Sequence, residues 1–363
     1  MAKHTPLHDR HAAAGARLVD FAGWQMPLHY GSQIAEHRAV RESAGMFDVS
    51  HMTQVDLDSD DAGRFLRYAC ANDIGRLGDG RALYTCLLNR RAGVIDDGIA
   101  YRFGASSYRL VINAATRDKD LDWLRGLAED FRVEPQERCD LAMIAIQGPQ
   151  ARERAYGPLR QVLGDTVADA AATLKRFAVT LEPRLRVART GYTGEDGYEV
   201  MLPGDRAAEF WDALADAGVT PVGLGARDSL RLEAGLALYG HEMDENTTPL
   251  EAGLGWTVAW APEDRDFVGR GALAEQREAG APNALVGLLP EGRAVPRAGQ
   301  VVHTDQGEGV ITSGGFAPTL ERPIALARVP AGAGPECEIE IRRRRVPAHV
   351  ADYPFVRKGK PAV

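Results

Sequence analysis

The sequence predicts an α+β chain of more than one domain whose last part is an antiparallel β-barrel or sandwich. Three observations carry that prediction. At 363 residues the chain is longer than one hydrophobic core usually serves. Strand-like and helix-like periodicities alternate as far as Glu275. Beyond it they give way to short apolar runs separated by Gly- and Pro-rich turns.

Taken in order, Tyr108–Ile112 reads as a strand, and Thr116 stands where it would cap a helix carrying Leu121, Leu124 and Leu127 on one face. Leu141–Ile146 is strand-like again. Tyr198–Leu202 reads as a strand and Asp205–Ala217 as a helix with Phe210 and Leu214 inward, stopped by Gly218. The two segments resemble each other too weakly to make a repeat fold. Ala226–Ala234 is rich in helix formers and Gly235 ends it; Arg227 and Arg231, four apart, share a face. After the domain boundary near Glu275 come the runs Ala284–Leu289, Gln300–His303, Gly309–Ser313 and Ile324–Val329. The run Arg342–Arg345 follows the alternating stretch Cys337–Ile341 and reads as a solvated strand face rather than an anion-binding patch.

Composition narrows the function. Hydrophobic residues make up 45% and charged residues 26%, an ordinary globular balance. No apolar run approaches the roughly 18 residues of a membrane span. The opening Met1–Pro6 has neither an apolar signal segment nor a basic, Ser-rich transit sequence, so the expected compartment is the cytoplasm, or the mitochondrial matrix for a processed chain. Cys70, Cys86, Cys139 and Cys337 are dispersed, as suits reduced thiols. A net charge of −8 argues against bulk nucleic-acid binding.

Common catalytic signatures are missing: there is no GxGxxG, P-loop, HExxH or GxSxG. His4, His8 and His11 have a metal-like spacing but no carboxylate or cysteine cluster beside them, and read as surface or locally bonded histidines. Two acidic positions stand out. In Val94–Ile99 the pair Asp96-Asp97 lies between apolar residues. If this is a strand, one carboxylate faces inward and must be paired or used; if it is a β-turn, both are ordinary corner residues. Glu195 sits in the glycine-dense Gly191–Gly197. A carboxylate there fits the paired N–H donors of a pterin edge, but an ion pair with Arg189 or Arg227 is the simpler reading.

Several motifs together resemble the T-protein family of the glycine cleavage system. They are Thr5–His8, Val19–Pro27, Gly45–Met52, Gly93–Ile99, Arg189–Glu199, Gly223–Gly235 with Leu238–Glu242, and Ser313–Leu320. They fall in the family's order and cover nearly the whole chain.

The resemblance implies an α+β fold of three subdomains around a central folate funnel, with a C-terminal antiparallel β-barrel. Residues 1–275 would form the folate-binding aminomethyltransferase region, two interleaved α+β subdomains, and residues 276–363 the barrel. It implies tetrahydrofolate as co-substrate, no metal or flavin, and the lipoylated H protein as partner. Asp97, rather than Asp96, matches the functional aspartate. Glu195, Arg227, Tyr84, Asn113 and Arg357 match folate-contacting positions. Trp24, Phe47 and Trp256 read as core aromatics rather than stacking surfaces. The implied reaction expels the carrier thiol from sulfur–CH2–NH2 to give an iminium, which a folate nitrogen attacks. Ammonia then leaves as the second nitrogen closes 5,10-methylenetetrahydrofolate.

Two rivals share the module. Folate-dependent demethylases carry a flavin domain, whereas this chain opens directly on the T-protein motif. A non-catalytic folate-binding protein of iron–sulfur assembly depends on a Cys motif after the Arg-bearing helix, and Leu232–Glu242 contains no Cys. A monomer that meets its carrier transiently is expected. Carriers of this system are acidic too, so docking on a chain of net charge −8 needs a local basic patch.

Overall fold

The computed structural model describes residues 2–363 and divides the chain into two compact units. The first comprises the chain up to Phe65, Gly75–Leu83 and Gly98–Asp228; the second comprises Leu66–Ile74, Tyr84–Asp97 and Ser229–Val363. The strands Arg81–Leu88 and Val94–Gly104 and the helix Leu224–Glu233 each run from one unit into the other along the chain.

The core of the first unit is a five-stranded sheet in the order Arg186–Ala188, Gly197–Pro203, Leu141–Gln147, Gly45–Asp48, Thr220–Pro221. Its central strand, Leu141–Gln147, is buried at every residue. A half-exposed strand would alternate, so the unbroken apolar run reports cover on both faces. The helices Ala151–Pro158, Asp165–Thr173 and Ala207–Asp216 supply apolar cover through Ala155, Ala168, Phe210 and Leu214. The last of these ends as its sequence predicts. Gly218 takes φ +77°, and Val219 N–H returns to the Leu214 carbonyl at 3.0 Å. The helix Arg117–Ala128 also starts after Thr116, but the Thr116 hydroxyl donates to the Asn113 carbonyl instead of capping the helix. Leu121 and Leu124 are buried and Leu127 half-buried, as one apolar face requires.

In the second unit, six antiparallel strands close into a barrel. In barrel order they are Asn283–Pro290, Arg322–Pro330, Gly307–Ala317, Val301–Thr304, Glu336–Ile341 and Arg344–Ala351. All four runs foreseen after Glu275 are strands, and closure decides for the barrel over the sandwich. Along Arg322–Pro330, Ala325, Ala327 and Val329 join the barrel core with Val302 and Ile339. Ile324 and Leu326, on the opposite face, pack with Leu232 and Phe355. This two-sided strand holds the end of the helix Leu224–Glu233 against the barrel. The Arg342–Arg345 run is solvated as expected, with Arg344 and Arg345 exposed at the start of the strand Arg344–Ala351 and the first two arginines forming a hairpin tip instead. Arg342 (φ +50°) and Arg343 (φ +64°) form the turn between paired Ile341 and Arg344.

No helix among the described residues is long and apolar enough to cross a membrane. The four cysteines are free thiols, three of them buried.

Candidate active site

The Asp-Asp pair lies in the strand Val94–Gly104, so the turn alternative is set aside. Neighbouring strand side chains face opposite ways, and here Asp96 is fully buried while Asp97 is half-buried. Asp97 Oδ2 accepts a hydrogen bond from the Tyr84 hydroxyl at 2.8 Å. Tyr84 is itself held at both ends. Its carbonyl accepts from Asn72 Nδ2 at 3.0 Å, and its ring stacks on Trp256 with centroids 5.8 Å apart. Trp256 is 69% exposed, so the core reading of this aromatic is corrected: the single turn Gly255–Thr257 turns it outward over Tyr84. Phe47 is buried as expected, and Trp24 is half-buried with Lys3 near its ring.

A second cluster forms in the first unit around Glu195. Its ion-pair partner is Arg41, at 2.7 Å with both side chains almost fully buried, rather than Arg189 or Arg227. Arg189 grips Asp196 through two nitrogens at 2.8 and 2.7 Å. Arg227 instead lies over the Tyr192 ring, 4.7 Å from its centre. The Gly191–Gly197 loop therefore brings Glu195 to Arg41 and Tyr192 under Arg227, which the helix Leu224–Glu233 supplies. Its glycines let it lie on the sheet: a Cβ at Gly197 would stand 2.0 Å from the Ile146 carbonyl oxygen, and one at Gly191 would stand 1.9 Å from Gln147 Oε1. Gly197→Ala is expected to destabilise the protein by about 1–3 kcal/mol in urea unfolding, because the obstacle is sheet backbone that cannot move aside. An unchanged midpoint would contradict the close approach.

Below this loop sit buried ionisable groups that sequence reasoning missed. Burial pushes the Glu199 carboxyl up, with the Thr190 hydroxyl and the charge of Arg227 pulling it back. Tyr101 approaches the same Thr190 hydroxyl at 3.4 Å. Asp48 accepts from the Thr5 hydroxyl at 2.6 Å and bonds His11 Nε2 at 2.9 Å. Its burial alone would raise it, but the hydrogen bond and charge of His11, with bonds from Thr5 and Ser50, hold it below the usual carboxylate range. Met26, Phe47, Asp48, Gly223 and Arg227 line a small cleft here. His11 is thus a buried, bonded histidine, while His4 and His8 stack on each other at 3.7 Å.

His51 is buried, its Nδ1 has no hydrogen-bond partner, and burial and then Arg227 push its pKa down to about 4 despite Asp48. The unfolded chain therefore binds one more proton than the folded one between about pH 6.5 and 4. Stability contributed by neutral His51 is full above that window and lost as pH falls through it. A His51→Gln variant is expected to lose less stability than the wild type between pH 7 and 4, by about 3 kcal/mol at most. Parallel curves in urea unfolding across that range would contradict a neutral buried imidazole.

The remaining matched positions are less drawn together. Asn113 follows the strand Ser107–Ile112 and is half-buried. Arg357 is exposed in the short pair Val356–Arg357 with Lys360–Pro361, and has no ion pair among the described residues. Of the missed groups, Glu199 had a readable signal: one acid inside the apolar run Tyr198–Leu202 is costly unless bonded. Arg41 had none, being one of several charges on a surface-like helix, Gln33–Glu42.

Two family models match the chain. The model described as the GCVT N-terminal domain covers residues 7–262, and that of the glycine cleavage T-protein C-terminal barrel domain covers residues 283–357. The chain is 56% identical over 364 aligned residues to an aminomethyltransferase of Nitrosococcus oceani, covering 100% of this chain and 97% of that relative. It also superposes on the crystal structure of glycine cleavage system aminomethyltransferase T from Bartonella henselae. That match has a TM-score of 0.91 and 36% identity, with 99% of each chain covered.

Proposed function

The chain belongs to the glycine cleavage T-protein family and is an aminomethyltransferase, and from that premise we propose that it moves the methylene of a carrier-bound aminomethyl group to tetrahydrofolate. The donor is the lipoylated H protein, and the products are 5,10-methylenetetrahydrofolate, ammonia and the dihydrolipoyl carrier. The thiol leaves carbon as the C–S bond breaks, a folate nitrogen forms the new C–N bond, and ammonia departs as the second folate nitrogen bonds to the same carbon. These steps require neither a metal nor a flavin.

The observation that carries this reading is the Tyr84–Asp97 hydrogen bond, which holds a half-buried carboxylate in one orientation. Positive charge develops on carbon and nitrogen when the thiol leaves. The Asp97 carboxylate stabilises that charge and accepts a hydrogen bond from the attacking N–H, effects worth about 10²–10⁴ in rate. Tyr84 orients it. The Glu195 carboxylate gives one oxygen to Arg41, and its remaining lone pairs fit the paired N–H donors of a pterin. Arg227 and Asn113 complete the proposed folate contacts. Arg357, an exposed cation without an ion pair among the described residues, suits the anionic glutamyl tail.

We keep residues 1–275 and 276–363 as the functional division, a monomer as the working form, and a reducing, cytoplasmic compartment, which three buried free thiols support. Purified protein, tetrahydrofolate and aminomethyl-loaded lipoyl carrier are expected to yield methylenetetrahydrofolate over many turnovers. Tight folate binding without turnover would replace the enzyme by a non-catalytic folate-binding protein.

A further inference from the structure

The hairpin that holds Arg357 carries two more cations. Val356–Arg357 pairs with Lys360–Pro361, and Arg357 stands directly opposite Lys360. Lys358 (φ +50°) and Gly359 (φ +68°) make the turn between them, both left-handed as a tight two-residue hairpin turn requires. Arg357, Lys358 and Lys360 are exposed, and none has an ion pair among the described residues. So short a hairpin does not hold its shape alone, and this one is rooted in the second unit. Phe355 is fully buried against Leu232, Ile324 and Leu326, and its carbonyl accepts from Ala362 N–H at 2.9 Å. Leu232 belongs to the helix Leu224–Glu233, the element that also supplies Arg227.

Residues directly opposite in an antiparallel pair project from one face, with Cβ atoms about 4.5–5.5 Å apart, and like charges placed so repel. Arg357 and Lys360 are such a pair. The sequence holds 51 acidic residues against 43 Lys and Arg, so acids are plentiful, yet this pair of cations stays open. A ligand with two anionic groups on a short tether relieves the repulsion by giving each cation its own partner. The glutamyl tail of tetrahydrofolate has that form, since its glutamate carries an α- and a γ-carboxylate.

We propose that Arg357 and Lys360 form a clamp for the two carboxylates of the glutamyl tail, with Lys360 as a second tail-binding residue. This rests on Arg357 receiving the tail, as in the reading above, and adds the partner that makes the site select a dicarboxylate. The guanidinium takes one carboxylate through paired N–H donors, and the ammonium takes the other as a point charge. Lys358 stands at the tip, outside the facing pair.

The test uses the intact chain with tetrahydrofolate and with tetrahydropteroate, which keeps the pterin and benzoyl groups and lacks the tail. Lys360→Gln is expected to raise KM for tetrahydrofolate about fivefold at low salt, with kcat unchanged and the rise shrinking as salt is added. It should leave KM for tetrahydropteroate unchanged, or its Ki against tetrahydrofolate if it is not turned over. Lys360→Arg should restore the tetrahydrofolate KM. Lys358→Asn removes the same charge from the tip with a residue the turn accepts, and should leave both values unchanged. An unchanged tetrahydrofolate KM in Lys360→Gln overturns the clamp. An equal rise for tetrahydropteroate, or an equal rise in Lys358→Asn, overturns it too, because the effect would then not belong to the tail or to the facing pair. If the wild type does not turn over tetrahydrofolate at all, the proposed reaction itself falls, a result that no hairpin variant can produce.

Discussion

Asp97→Asn is expected to lower turnover of loaded carrier by about 10²–10⁴, with tetrahydrofolate binding within a few-fold of wild type. The amide keeps the shape and can still accept from the Tyr84 hydroxyl, so the loss reports the missing charge. Tyr84→Phe removes the bond at 2.8 Å but leaves the charge, and is expected to cost about tenfold. Asp96 provides the contrast. It is fully buried on the other face of the strand, so Asp96→Asn acts first on stability, read as a lower urea midpoint with kcat preserved in the folded fraction. A fully active Asp97→Asn beside a folded but inactive Asp96→Asn would transfer the role to Asp96.

The largest stability loss is expected at the junction of the helix Leu224–Glu233 with the barrel. Arg231 is buried and bonds Glu242 Oε2 at 3.1 Å and the Ser313 hydroxyl at 2.9 Å. The same Glu242 oxygen accepts from Leu238 N–H at 2.9 Å. Removing one partner leaves the other charged in a dry site, so Arg231→Met or Glu242→Leu is expected to cost about 3–5 kcal/mol in urea unfolding. Changing both together should cost less than the sum of the two, because no unpaired charge remains. Single losses below about 1 kcal/mol would show that water reaches the pair.

Much of the architecture was readable because it is local. The barrel strands alternate between interior and exterior, and turn residues separate them. Gly218 and Gly235 stop their helices because only a left-handed residue closes those ends, at φ +77° and +63°. The opposite fates of Asp96 and Asp97 follow from strand geometry alone. What was not readable is long-range or without a local marker. Arg41 and Glu195 are 154 positions apart, and no periodicity links them. Proximity in sequence pointed to Arg189, which is committed to Asp196. Trp256 was misread because a tryptophan usually marks a core, and only the turn that carries it decides otherwise. The Arg342-Arg343 turn uses a backbone that Gly or Asn would have announced.

The most direct test of the central claim is ammonia release when tetrahydrofolate is mixed with aminomethyl-loaded carrier, for wild type and Asp97→Asn at equal folate occupancy. The account predicts one ammonia per loaded carrier in the wild type, strictly dependent on tetrahydrofolate, and release slowed by about 10² or more in the variant. Equal rates in the two proteins, or folate binding without ammonia release in the wild type, would contradict it.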